Sequence, residues 1–283
     1  MLKTKFIPVA IDQAYQRRQK DAEGEFYRKI AGQSPRNNFQ GTTQGFFAAS
    51  ASGKLYFYNN NRDPKKLVRL LEQALKDHVP GKKVEAIPPG RPEARYNPQP
   101  PDGGLVLRVH AKILGGYGPT DDRWKRIFQS SVSRDNFWVT GDEHRALAQG
   151  KLPEKVQRRM VRFHFVDNTR GEPPMWKDEE IERIDLKFDG QVIAGTVRLQ
   201  TKDGTRGYDA QVRGEVETRG GKVTRLDLVA HGQFWGEGRY TRNAPKGKFP
   251  LAVSMTLADG KDVADSIPPQ GSRGWVPGYL EMR

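Results

Sequence analysis

From Leu105 onward the chain alternates apolar and polar residues with a period of two, and this pattern restricts its fold more than anything else in the sequence. Leu105, Leu107, Val109 and Ala111 form one such run. Ile184, Leu186 and Phe188 form a second, and Ile193, Gly195, Val197 and Leu199 a third. Tyr208, Ala210, Val212, Gly214 and Val216, then Leu226, Leu228 and Ala230, and finally Leu251, Val253, Met255 and Leu257 continue the series. Side chains two apart share one face of a strand, so each run predicts a β-strand with one buried face. Asp189-Gly190, Asp203-Gly204, Gly220-Gly221 and Asp259-Gly260 punctuate the series as turn dipeptides. Strands joined by tight turns are antiparallel neighbours, which predicts a meander over 105–283, either stacked as a sandwich or curled into an open barrel. Between Thr140 and Met160 the pattern relaxes into a short helical insertion near 140–160, with Gly141-Asp142-Glu143 and Pro153 as helix starts. Such a helix is suited to plug one end of the sheet.

The first 79 residues follow a different rule. Gly45–Ser50 and Leu55–Asn59 flank Ala51-Ser52-Gly53-Lys54, which predicts a β-hairpin with Gly53 at the position needing positive φ. Asp63 then caps a helix that begins at Pro64 and carries Leu67, Leu70, Leu71, Ala74 and Leu75 on one face. Lys5–Ile11 reads as a short buried strand and Gln13–Ala31 as a helix, giving the order β, α, β, β, α. Prolines at 80, 88, 89, 92, 98, 100 and 101 make 80–104 a semi-rigid spacer. A chain of 283 residues and 32.0 kDa accommodates a domain on each side of it. The expected class is α+β, with domains 1–79 and 105–283 joined by the linker 80–104.

The hairpin followed by a closing amphipathic helix resembles the end of a thioredoxin-like domain, over little more than a quarter of the chain. The resemblance implies a truncated module: Leu2–Ile11 matches the family's second strand and the tail of the helix before it. The domain is therefore trimmed, or Met1 lies downstream of the true start. Such domains usually carry a CxxC motif and a cis-proline before the hairpin; here there is no cysteine, and Thr43-Gln44 occupies the proline's place. Dithiol exchange needs a thiolate, so no thiol–disulfide oxidoreductase activity is expected. In that family the segment before the hairpin contacts substrate through its backbone. By position this implies an anion- or peptide-binding surface of Thr43 and Gln44 with the nearby guanidinium groups of Arg17, Arg18 and Arg36.

Composition excludes several classes. Without cysteine there are no disulfides, iron–sulfur clusters or thiol nucleophiles. The formal net charge is +14, and residues 1–80 hold fourteen Lys and Arg against seven Asp and Glu, half of the excess. A basic domain favours an anionic ligand or protein partner. Nucleic acid is a weaker expectation, since no RNA-binding, zinc-finger or helix-turn-helix pattern accompanies the charge. No apolar run approaches the roughly 20 residues that span a bilayer, so no membrane partner is expected. Phe6–Ile11, broken by Pro8 and closed by Asp12, is too short for a signal-peptide core, which makes the cytoplasm the default location.

Chemistry-bearing patterns are sparse. No GxSxG, P-loop or dinucleotide motif occurs, and no cofactor is implied. His164 and Asp167 are three apart, with His110 and His231 on other strands; this suits either a mononuclear His/carboxylate metal site or ordinary polar-face histidines. Asp178-Glu179-Glu180 reads as a solvated turn. Phe234-Trp235-Gly236-Glu237-Gly238 suits a ligand wall or a glycine kink beside a packed tryptophan. Trp124, Trp138, Trp176, Trp235 and Trp275 all fall after the linker, as core anchors or as the mouth of a ligand site. Two readings follow. One is a non-catalytic binding or adaptor protein with a redox-inactive thioredoxin-like module and a β-domain that holds a partner or ligand. The other is an enzyme acting through the β-domain, with or without a His/carboxylate metal site.

Overall fold

The computed structural model describes residues 1–81, 86, 88, 98–272 and 276–281. The chain divides into two compact units, Met1–Asn97 and Pro98–Arg283. Most of the proline-rich stretch 80–104 and Trp275 lie outside the described residues.

The first unit begins with α1 (Leu2–Lys5), α2 (Gln13–Gln16) and α3 (Ala22–Ala31), and Asp12 caps α2 by accepting a hydrogen bond from Ala14 N at 2.8 Å. The helix expected over Gln13–Ala31 is thus two helices. Asp21 explains the break: its side chain accepts from Gly24 N at 3.0 Å and caps a fresh start. The strand expected at Lys5–Ile11 does not form. Residues 6–11 run outside any ladder with Ile7 91% and Val9 71% exposed; among the described residues the sheet of this unit is a two-stranded hairpin whose strands pair only with each other. That hairpin is β1 (Phe46–Ala49) and β2 (Leu55–Asn59), turning through Gly53 at φ +83°. Asp63 caps α4 (Pro64–Asp77), whose Leu71 and Ala74 join Tyr15, Tyr27, Ala31 and Ala48 in a small core.

The second unit is built on one antiparallel sheet of seven strands in the order β4-β3-β9-β8-β7-β6-β5. The strands are β3 (Leu105–Ile113), β4 (Asp135–Val139), β5 (Ile181–Phe188), β6 (Val192–Gln200), β7 (Gly207–Arg219), β8 (Lys222–Trp235) and β9 (Lys248–Leu257). β5 to β9 follow one another as a meander, and β9 then pairs with β3, so the start and end of this unit meet in mid-sheet. The sheet curls into a half-barrel with β4 and β5 as its two edges, which removes the two-sheet sandwich. Gly195 marks one point of bending: at φ +156° a Cβ there would sit 1.8 Å from Asp185 O on the neighbouring strand.

Among the described residues the α-helices of this unit are α5 (Arg123–Ser130), α6 (Gly141–Ala148), α7 (Glu154–His164) and α8 (Val276–Leu280). α7 fills the curl. Its Val156 and Met160 share an apolar void of only about 20 Å³ with Leu107, Leu228 and Met255 of the sheet. Close packing of this kind stabilises by about 1.5–3 kcal/mol per large apolar side chain removed from water. The other face of the sheet is polar: on β3, Arg108, His110 and Lys112 alternate with the buried Leu107, Val109 and Ala111.

Candidate ligand cleft and the polar core behind it

α7 is amphipathic in an unusual sense, because its buried face carries Arg159 and His164 beside Val156, Met160, Val161 and Phe163. A buried guanidinium is costly unless it is paired and hydrogen-bonded, and Arg159 meets this through both Nη atoms while its Nε makes no hydrogen bond with the described residues. Arg159 donates from Nη1 to Glu143 Oε1 at 3.0 Å and to Leu280 O at 3.1 Å, and from Nη2 to Trp138 O at 3.2 Å and to Glu143 Oε2. Its cation lies 5.4 Å from the ring centroids of both Phe137 and Tyr279. Glu143 is fixed in turn by a capping box, taking Thr140 N at 2.9 Å while Thr140 Oγ1 accepts from Glu143 N. Burial alone pushes the Glu143 carboxyl up, but the bonds and charge of Arg159, helped by Thr140 N and Lys155, hold it below its ordinary value.

One turn further along, His164 joins β4 to α8. Its Nε2 lies 2.7 Å from the Tyr279 hydroxyl, and its Nδ1 lies 3.1 Å from Asp135 Oδ2, off the direction of a good hydrogen bond. Asp135 Oδ1 accepts from Asn136 N at 2.8 Å and Gln270 N at 2.9 Å. An Asp–His–Tyr series resembles a proton relay, but all three groups are buried and the hydroxyl lies deepest in the packing. Burial pushes the Tyr279 phenol far up, so it stays neutral and serves as a hydrogen-bonding post. The series fastens α8 over α7.

The segment after α7 folds back as a strap over the mouth of the half-barrel. Trp176 donates from Nε1 to Phe165 O at 2.8 Å, and the Arg206 guanidinium stacks 3.9 Å from the Trp176 ring while bonding Pro174 O at 2.5 Å. Burial brings the Arg206 pKa down to about 10, still charged at neutral pH. Arg170 ties Asp167 to Thr241 O and so joins the strap to the β8–β9 connection. Between these fixed segments opens a cleft of about 410 Å³ lined by Phe163, Glu172, Pro173, Pro174, Met175, Arg239, Tyr240 and Gly271. Phe163, Pro173, Pro174 and Met175 make it largely apolar, and Glu172 and Arg239 bring one charge of each sign. Arg239 lies 5.3 Å over the exposed Tyr240 ring and makes no ion pair with the described carboxylates. A volume of this size is in the range that holds small organic ligands.

The residues expected from sequence are distributed otherwise. In the first unit Thr43 is fully buried: its hydroxyl meets Tyr27 OH at 2.6 Å and Gln13 Oε1 at 3.1 Å. Arg17 bonds Gln13 Oε1 and Gly41 O, spending its guanidinium on the loop before the hairpin. Arg18, Arg36 and Gln44 are exposed, and Gln44 O accepts from Tyr58 OH at 2.9 Å. His110 and His231 sit on the outer face of the sheet, and His144 bridges Gly103 O and Val223 N. Among the described residues no group of three or more His, Asp or Glu is arranged to hold a metal ion. Trp138 and Trp176 are core, Trp235 donates to Gly204 O as part of a kink at Gly236, and Trp124 is 51% exposed. The Phe234–Gly238 run itself packs; the cleft rim begins one residue later, at Arg239. Sequence reasoning missed Phe163, Met175, Arg239 and Tyr240, whose only signal was the density of Pro, Gly and Arg in the two loops.

Compared with known protein families, curated proteins and solved structures, the chain has no match in any of the three.

Proposed function

We propose that this chain is a non-catalytic binding protein whose half-barrel unit takes up an apolar ligand with an anionic end. The observation that carries the reading is the cleft of about 410 Å³, lined by Phe163, Pro173, Pro174 and Met175, with the Arg239 guanidinium and the Glu172 carboxylate as its charged groups. Apolar walls favour a chain or ring, and a guanidinium that makes no ion pair with the described carboxylates favours a carboxylate or sulfonate end. The first unit, on this reading, is a thioredoxin-like module without thiols, which brings an adaptor surface around Arg18, Arg36 and Gln44 rather than redox chemistry.

Calorimetric titration of the full chain with dodecanoate tests the proposal. Saturable binding is expected, about tenfold weaker in Arg239→Ala because a charge-assisted bond is lost, and abolished in Met175→Trp, which fills the cleft. Absence of binding, or equal binding by all three proteins, overturns the reading.

A further inference from the structure

The connection from β3 to β4 carries four large apolar side chains in water: Leu114 at 52% exposure, Trp124 at 51%, Ile127 at 37% and Val132 at 57%. Its helix, α5, contributes no buried residue at all, although its sequence Arg-Trp-Lys-Arg-Ile-Phe-Gln-Ser is strongly two-sided. At about 100° per residue, Trp124, Ile127 and Phe128 share one face. Trp124 and Phe128 stack along it, 6.3 Å apart at 27°. On the same wheel Arg123 and Lys125 stand on either flank of that face, and Arg126 stands behind it. The neighbouring acids are occupied elsewhere: Asp122 accepts from Trp124 N at 2.8 Å and Lys125 N at 3.0 Å as the helix cap, and Asp121 lies 4.0 Å from Arg126.

We propose that α5 and its flanking loop rest on an anionic lipid surface, lying in the interface rather than crossing it. The arrangement is that of an interfacial helix: a narrow apolar face led by tryptophan, with long cationic side chains able to reach headgroup phosphates from both sides. Two features select lipid over other polyanions. Ile127, Val132 and Leu114 are aliphatic and gain nothing from stacking on bases, whereas acyl chains accept them. A tryptophan held half in water by a helix with no buried residue is at home at a headgroup boundary. The inference is independent of the cleft, since none of its lining residues belongs to this connection.

Co-sedimentation of the full chain with vesicles tests it, comparing phosphatidylcholine alone with phosphatidylcholine containing phosphatidylserine. Pelleting is expected with the mixed vesicles, falling several-fold at about 1 M salt, where the screening length is only ~3 Å. Trp124→Ser with Ile127→Ser should abolish it. Lys125→Gln should weaken it about fivefold, the effect of one cation near an anionic leaflet. Because Trp124, Lys125 and Ile127 are exposed, the far-ultraviolet spectrum and melt of these variants should match the parent. Failure of the parent to pellet, equal pelleting with both vesicle types, or equal pelleting of the double serine variant overturns the proposal. So does self-association without vesicles that the double variant abolishes, which would make a second copy of the chain the occupant.

Discussion

Arg159 of α7 and Glu143 of α6 form an ion pair in which neither side chain has any exposed surface. Two charges in an apolar curl are costly to desolvate, and mutual pairing offsets that cost only while both are present. Replacing Arg159 by Met leaves the buried Glu143 carboxylate with Thr140 N and the half-exposed Lys155 beside it, takes a donor from the carbonyls of Trp138 and Leu280, and should destabilise the second unit by about 3–5 kcal/mol. Arg159→Met with Glu143→Leu should recover most of that loss. Urea unfolding followed by tryptophan fluorescence measures both. If the double variant is no more stable than the single one, the pair is not the source of the effect.

The same carboxylate gives the stability a defined pH dependence. Glu143 is held below its ordinary value of 4.5 in the folded chain, so the unfolded chain binds its proton first as pH falls. The resulting stabilisation is fully present above about pH 4.5 and is lost as pH drops through the folded value. Glu143→Gln cannot contribute it. The stability gap between parent and Glu143→Gln should therefore be constant near neutrality and shrink below about pH 4.5, as read from unfolding midpoints across a pH series. A gap that widens with acid contradicts the sign.

In the first unit the hydroxyl of Thr43 fastens the segment before the hairpin to Tyr27 and Gln13. Thr43→Val keeps the shape and removes the bonds, leaving buried polar partners unsatisfied at a cost of about 1–3 kcal/mol. Amide exchange in α3 and β1 should accelerate accordingly, while amides of β7 and β8 in the other unit stay unchanged. Arg36→Ala, by contrast, touches no side-chain partner among the described residues and should leave exchange everywhere as in the parent.

Strand after strand of the half-barrel was legible because burial on one face enforces a two-residue period, and the dipeptides at 189, 203 and 220 lie where the turns fall. α6 and α7 were legible from Thr140, Gly141 and Pro153 for an equally local reason, since caps and proline act through the backbone beside them. β4 was not. Its five residues are all buried, so Asp135-Asn136-Phe137-Trp138-Val139 has no alternation to betray it. Lys5–Ile11 misled in the opposite direction, because a strand needs a partner and apolar composition cannot report whether one is near. The cleft was unreadable for a stronger reason. Phe163, Met175, Arg239 and Gly271 come from four separate stretches, and only the curl of the sheet brings them together.

Leu280 supplies a carbonyl to Arg159, and Tyr279 supplies a hydroxyl to His164. Both bonds bridge from α7 to residues more than a hundred positions later. A ribosome making this chain thus releases α7 long before the groups that satisfy its charges exist. Until residue 280 has emerged, the buried cation has a partner in Glu143 but lacks its final carbonyl, and the imidazole has no hydroxyl. The second unit can gather its sheet early, yet it can settle into its finished packing only after the last turn of helix has been made.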